Sequence, residues 1–405
     1  MNSTTTPSAL RGDVRVISVI GFAHGTSHFF HLLLPPLFPW LMAEFNLSFT
    51  GVGAAVTFFF VISGIGQFLS GFVVDRVGPR RVLLAGIVCF VLAGLLLSVA
   101  NGYAMLFAVG ALAGLGNSVF HPADFTLLNR KVSPNRLGYA FSAHNLSGNI
   151  GWALAPLFFT SIAATAGWRT AALCGAVVAV LALAVVWLWC DDAALAEEEG
   201  VKASRGGAAG TFNFLGVGAV WMCFMFFLLV TTAFGALQNF ATPLMQNVYG
   251  LTVAAAAATL TAFLIGGGVG IFAGGVLVSR SGAHDRLIAW ALAAAAAVAV
   301  VIALNVLPAW SISLAMGVMG FCVGLAGPSR DLLVRQAATA RFGQQAFGRV
   351  YGFVYSGLDL GQAIAPLAFG LLMDASLFTA VLMGVALLQG AAILTALGVS
   401  RMPTR

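Results

Sequence analysis

Charge is what this chain has least of. Asp, Glu, Lys and Arg make up 8% of its 405 residues, where a soluble domain carries about a quarter. Hydrophobic residues make up 60%. That balance excludes a water-soluble globule and makes the chain an integral membrane protein. Metal-type cysteine spacing is missing as well. The five cysteines (Cys89, Cys174, Cys190, Cys223, Cys322) fall in or beside apolar runs, so neither a disulfide framework nor a zinc module is read from them. The polar opening MNSTTTPSALRGD has no apolar core region with a cleavage site, so no signal peptide is expected. No arrangement of nucleophile, base and oxyanion donor can be traced. An enzyme is therefore not expected, and neither is a cofactor.

What is there is a succession of apolar runs. At about 20 residues per crossing, spans fall near residues 15–43, 50–74, 80–100, 103–129, 137–163 and 168–190, then 213–245, 252–278, 285–305, 309–333, 346–373 and 377–399. The fold class expected is all-α, with 12 transmembrane helices in two six-helix halves. Residues 1–190 form the first half, 191–212 a charged, Gly-rich linker, and 213–405 the second half. An even number of crossings puts both termini on one side. If that side is the cytoplasm, every Lys and Arg lies inside except Arg169, a strong positive-inside bias. The net charge of +6 then reflects topology, and no nucleic-acid partner is expected. The expected setting is the bacterial inner membrane, with the chain a monomer in the bilayer.

Charge concentrates at one point, Gly71–Arg81, reading GFVVDRVGPRR. Gly71, Asp75, Arg76, Gly78, Arg80 and Arg81 sit between two apolar spans, where charges must meet water or one another. The spacing Gly-x-x-x-Asp-Arg-x-Gly-x-Arg-Arg resembles the loop between helices 2 and 3 of the major facilitator superfamily of transporters. That resemblance implies a cytoplasmic gate. The chain also repeats itself: Pro39 matches Pro243, Arg76 matches Arg280 and Gly78 matches Gly282 at an offset of 204. Gly151 and Pro156 match Gly361 and Pro366 at an offset of 210. Two parallel repeats are the plan of this transporter class. Ser279 stands where Asp75 stands, so the first-half loop is expected to be the stronger clamp.

Polar stripes run inside the spans, where polar groups are costly and usually face a cavity. Span 1 carries His24, His28 and His31 at i, i+4, i+7, one narrow helix face. Span 4 carries Asn117, His121 and Asp124 at the same spacing, span 5 Asn145, Asn149 and Trp152, and span 11 Tyr355, Asp359 and Gln362. Span 7 offers Gln238, Asn239 and Thr242. Each stripe alone could be a satisfied interhelical hydrogen bond. In the resembling superfamily, however, helices 1, 4, 7 and 11 flank the central cavity, which makes these residues candidate substrate contacts. His28, His121, Asp124 and Asp359 are the proton-coupling candidates, because histidine titrates near neutrality and Asp359 lies mid-span. Asp124 and Arg330 occupy near-equivalent repeat positions and are a candidate charge pair. No Cys or carboxylate joins the span-1 histidine face in sequence, so no metal site is expected there.

A finer resemblance rests on spans 4 and 5. Gly114-Leu-Gly-Asn-Ser-Val-Phe-His-Pro122 and Gly148-Asn-Ile-Gly151, followed by Ala155-Pro156, resemble the fosmidomycin-resistance type of exporter. Gly151-x-x-x-Ala155-Pro156 is also similar to a relaxed form of the superfamily antiporter signature. The resemblance implies proton-driven efflux of a small anionic compound. Gly110 stands where many drug antiporters carry an Arg, which departs from their proton route. The leading expectation is a proton-coupled exporter of a small polar or anionic molecule, working by alternating access. The second is a proton symporter taking up an organic acid. The third is a non-transporting membrane receptor or assembly factor, for which the chain has little soluble surface to offer.

Overall fold

The computed structural model describes residues 7–133, 136–190, 216–278, 284–342 and 347–401. The linker expected at 191–212 lies outside the described residues, and so do the side chains of Asp75, Arg330 and Tyr355. Among the described residues all regular structure is helical, and 12 segments are long and apolar enough to cross a membrane.

Span 1 is not one helix. α1 (Pro7–His31) gives way to a short 3-10 turn at Pro35–Leu37 and then α2 (Phe38–Phe45). Pro35, Pro36 and Pro39 supply no N–H, and each ring obstructs the carbonyl four residues earlier. The same chemistry interrupts span 4. Pro122 faces the carbonyl of Ser118, and the chain breaks at Val119 between α5 (Tyr103–Ser118) and α6 (Phe120–Lys131). The other spans are α3 (Phe49–Val77), α4 (Pro79–Ser98), α7 (Leu137–Ala166) and α8 (Trp168–Trp189), then α9 (Gly218–Tyr249), α10 (Val253–Val278), α11 (His284–Ala303), α12 (Ile312–Phe342), α13 (Phe347–Asp374) and α14 (Phe378–Arg401).

The charged stretch expected as a loop is almost wholly helical. α3 runs on through Arg76 to Val77 and α4 begins at Pro79, which leaves Gly78 alone between them at φ +94°. Glycine is the residue that takes this conformation without strain, and Pro79 at the first helical position starts α4 at once. Arg80 donates to the Trp187 carbonyl at 2.8 Å and lies over its indole, 5.3 Å from the ring centre.

The chain divides into two compact units, residues 1–41 with 61–203 and residues 42–60 with 204–405. In the first unit α1 packs on α7, and α4 on α8; in the second α9 packs on α13, and α11 on α14. Each unit therefore repeats the same pairing. Lipid removes the hydrophobic drive between helices, so close backbone approach has to supply contact energy. A Cβ on Gly151 of α7 would collide with the Gly25 carbonyl of α1, and one on Gly320 of α12 with the Phe263 carbonyl of α10. At one end of the first unit, buried Asp13 accepts from the Ser133 amide (3.1 Å) and from Arg136 (2.6 Å), tying α1 to the α6–α7 connection. In the second unit Asp374, closing α13, accepts the Phe49 and Thr50 amides at 2.5 and 3.0 Å. It thereby caps α3, whose first N–H groups have no intrahelical partner.

Candidate functional site

The polar site of the first unit starts from glycine. Gly148 on α7 faces α1, and a Cβ there would fall 2.6 Å from His28 Nδ1 and 3.1 Å from His24 Nε2. Its lack of a side chain is what lets the α1 histidines reach under α7. His144 lies four residues before Gly148 and seven before Gly151, on the same face of α7. The α5–α6 break at Val119 then brings Asn117 and His121 to this face from two separate helices.

Two polar clusters result. In the first, Asn117 is the hub. Ser27 Oγ donates to its Oδ1 at 2.5 Å, its Nδ2 donates to Ser63 Oγ at 2.7 Å, and His31 Nε2 is 2.8 Å from the same Oδ1. The Trp152 indole N–H donates to His31 Nδ1 at 3.2 Å. Nδ1 is thus an acceptor, which places the imidazole proton on Nε2, toward Asn117. In the second cluster, Asp124 is fully buried. Its Oδ2 lies 3.0 Å from His144 Nε2 and 3.3 Å from His24 Nδ1. The His24 and His144 rings stack with centres 3.5 Å apart, and His28 and His121 stand 4.4 and 5.4 Å from His24. His121 Nδ1 pairs with Gln67 Oε1 at 2.9 Å. Among the described residues the only ion-pair partners of Asp124 are His24 and His144. Its Oδ1 has no hydrogen-bond partner there.

The structure thus brings together His24, His28, His31, Asn117, His121, Asp124 and Trp152, all on polar stripes. It leaves Asn145 exposed, and Asn149 bonds back to the Asn145 carbonyl at 3.0 Å. That pair sits one residue round α7 from the line that meets α1. His144 takes the central place instead. Its signal in the sequence was its register with Gly148 and Gly151, a line of small residues marking a close-packed face. Ser27, Ser63 and Gln67 carry no pattern beyond being polar in apolar runs.

In the second unit Gln362 Nε2 donates to Gln238 Oε1 at 2.9 Å, with both side chains buried. Asn239 turns back to the Gly235 carbonyl at 2.7 Å. Asp359 is half-buried and makes no hydrogen bond or ion pair among the described residues. The proposed Asp124–Arg330 pair and the role of Tyr355 fall on side chains outside the described residues, and so does Asp75.

Twelve apolar spans with polar side chains drawn inside them define a polytopic membrane transporter. The family model for the Major Facilitator Superfamily matches residues 18–344, and the chain belongs to that superfamily. Its members move small molecules across membranes, and the protein is a transporter rather than an enzyme. It is 31% identical to the fosmidomycin resistance protein of Escherichia coli (strain K12) over 177 residues, a match spanning 43% of each chain. It is 26% identical to the MFS-type transporter YfnC of Bacillus subtilis (strain 168) over 383 residues, covering 92% of this chain and 90% of that one. Among solved structures it is similar to a bacterial homologue of the human lysosomal transporter Spinster. The TM-score is 0.71 at 13% identity, over 98% of this chain and 96% of the other. That similarity shows the major facilitator fold.

Proposed function

We propose that this transporter is a proton-coupled exporter of a small polar or anionic molecule. It works by alternating access of two halves, residues 1–190 and 213–405, joined by a cytoplasmic linker at 191–212. It acts as a monomer in the bacterial inner membrane with both termini in the cytoplasm, the orientation favoured by the positive-inside bias. The observation that carries the reading is a pair of membrane-embedded carboxylates, one in each unit. Neither Asp124 nor Asp359 has a Lys or Arg partner among the described residues. A carboxylate held within the membrane without a fixed counter-charge favours uptake of a cation. Among the candidates His28, His121, Asp124 and Asp359, the proposal puts the exchanged proton on Asp359, which has no ion-pair partner among the described residues. The candidate substrate contacts are, in the first unit, the Asn117–His31–Trp152 network and, in the second unit taken by itself, Gln238 and Gln362. Similarity to the fosmidomycin resistance protein supports export, as does the Gly151-x-x-x-Ala155-Pro156 pattern.

The test is accumulation of labelled fosmidomycin in efflux-deficient bacteria expressing the chain, with and without a protonophore. Accumulation should fall on expression and recover when the proton gradient collapses. Raised accumulation would reverse the direction and favour the organic-acid symporter. Unchanged accumulation of fosmidomycin and of a panel of organic acids would favour the receptor reading.

A further inference from the structure

We infer that the first unit contains a binding site for a borderline divalent transition-metal ion such as Zn²⁺ or Co²⁺, held by His24, Asp124 and His144. This goes beyond the transport reading and does not rest on it.

The geometry comes first. One ligand atom from each of the three residues lies within 4.8 Å of the other two. Tetrahedral bonds of about 2.0–2.1 Å put neighbouring ligand atoms about 3.3 Å apart. His24 Nδ1 is 3.3 Å and His144 Nε2 is 3.0 Å from Asp124 Oδ2. Two edges of the coordination polyhedron are therefore already at ligand spacing, and the stacked His24 and His144 rings, 22° apart in plane, turn about their side-chain torsions to aim both nitrogens at one ion. His24, His28 and His121 form a second set within the same 4.8 Å limit. That set shares His24 with the first.

The second observation is unmet bonding capacity. His24, Asp124 and His144 are 2%, 0% and 1% exposed. Buried polar atoms are almost always hydrogen-bonded, yet His24 Nδ1, Asp124 Oδ1 and His144 Nδ1 have no hydrogen-bond partner among the described residues. Of these, His24 Nδ1 is itself a ligand atom and Asp124 Oδ1 is the free oxygen of the ligand carboxylate, while the ligand nitrogen of His144, Nε2, is held by Asp124 Oδ2 at 3.0 Å.

Donor chemistry then selects the ion. Two imidazoles and one carboxylate suit zinc, cobalt or nickel, whereas magnesium and calcium take oxygen ligands. The carboxylate supplies the negative charge that draws a dication into an otherwise neutral pocket. His31 lies outside the set. Both of its ring nitrogens are engaged, by Asn117 and by Trp152.

The experiment uses the full chain purified in detergent with any histidine tag removed. Co²⁺ is titrated by its visible ligand-field absorption, and Zn²⁺ by competition and calorimetry. One ion should bind per chain, and Mg²⁺ should not displace it. His24→Ala and His144→Ala should each weaken affinity by on the order of a hundredfold, since even outer-shell changes cost about 10- to 100-fold. His31→Ala should leave affinity unchanged. If His144→Ala does not fold, His144→Gln, which keeps a hydrogen-bonding amide in place of the ligand nitrogen, is read in its place. Absence of saturable binding, or binding that survives both His24→Ala and His144→Ala, overturns the inference. Binding is read without transport, so failure here leaves the export reading standing, and a failed export assay leaves this site standing.

Discussion

Single residues in this protein act mostly through what they leave out or leave unpaired. Gly148 is the sharpest case, because His24 and His28 occupy the space that its side chain would fill. Gly148→Ala should displace both rings and lower the initial transport rate at least about tenfold, since a misplacement of about 1 Å in a binding site has effects of that size or larger. The measurement is flux into inverted vesicles, normalised to the protein inserted. A rate within twofold of wild type would show that the histidine positions do not matter to transport. In the second unit the Gln238–Gln362 hydrogen bond at 2.9 Å can be isolated by a double-mutant cycle to Ala. Interhelical hydrogen bonds in membranes couple by about 0.6 kcal/mol on average and reach about 1.7. Burial on both sides puts this pair in the upper half of that range. A coupling near zero in detergent unfolding would mean that each amide finds another partner when its neighbour is removed.

At the level of elements, helix ends and breaks decide where the polar groups go. Pro122 breaks span 4, so Asn117 and His121 sit on separate helices α5 and α6. Both still face α1, Asn117 toward His31 and His121 toward His24, so the i, i+4 stripe survives the break. The same spacing argument succeeded for α1, which is unbroken from Pro7 to His31. There His24, His28 and His31 do point to one side. α3 depends on a distant residue for its start, since Asp374 accepts the Phe49 and Thr50 amides. Asp374→Ala should destabilise the protein by about 1 kcal/mol, the usual cost of losing a cap. Thermal unfolding in detergent would show it as a lowered midpoint. Asp374→Asn, which retains an acceptor oxygen, should recover most of the loss.

For the whole molecule, the twofold repetition of the chain is the governing fact. The offsets that match Pro39 to Pro243 and Gly151 to Gly361 in sequence reappear as matching helix pairs, α1 on α7 and α9 on α13. The two copies are not chemically equivalent. Among the described residues the buried His–Asp cluster has no counterpart in the second unit, where the buried polar pair is Gln238 with Gln362. The charged turn is also unequal, with Asp75 in the first copy and Ser279 in the second. Asp75→Asn should therefore impair transport severely without reducing membrane insertion. Flux compared with the amount of protein in the membrane fraction checks this. Full activity would remove the gate role of this turn.

Composition alone settled that this chain lives in a membrane, because a sequence with 8% charged residues cannot cover a globule in water. Run length settled the twelve spans, and spacing settled which α1 residues share a face, since both follow from the fixed rise and turn of a helix. The company those residues keep was decided only in three dimensions. The histidine face of α1 carries no carboxylate in sequence and so did not read as a metal site. Asp124 is 100 residues further along the chain and His144 another 20, and both arrive through the packing of α6 and α7 on α1. Helical periodicity reports on neighbours one turn away. Contacts between helices depend on where small residues let backbones meet and where prolines break the line, so the chemistry of the site became visible only when Gly25, Gly148 and Gly151 were seen to bring the helices together.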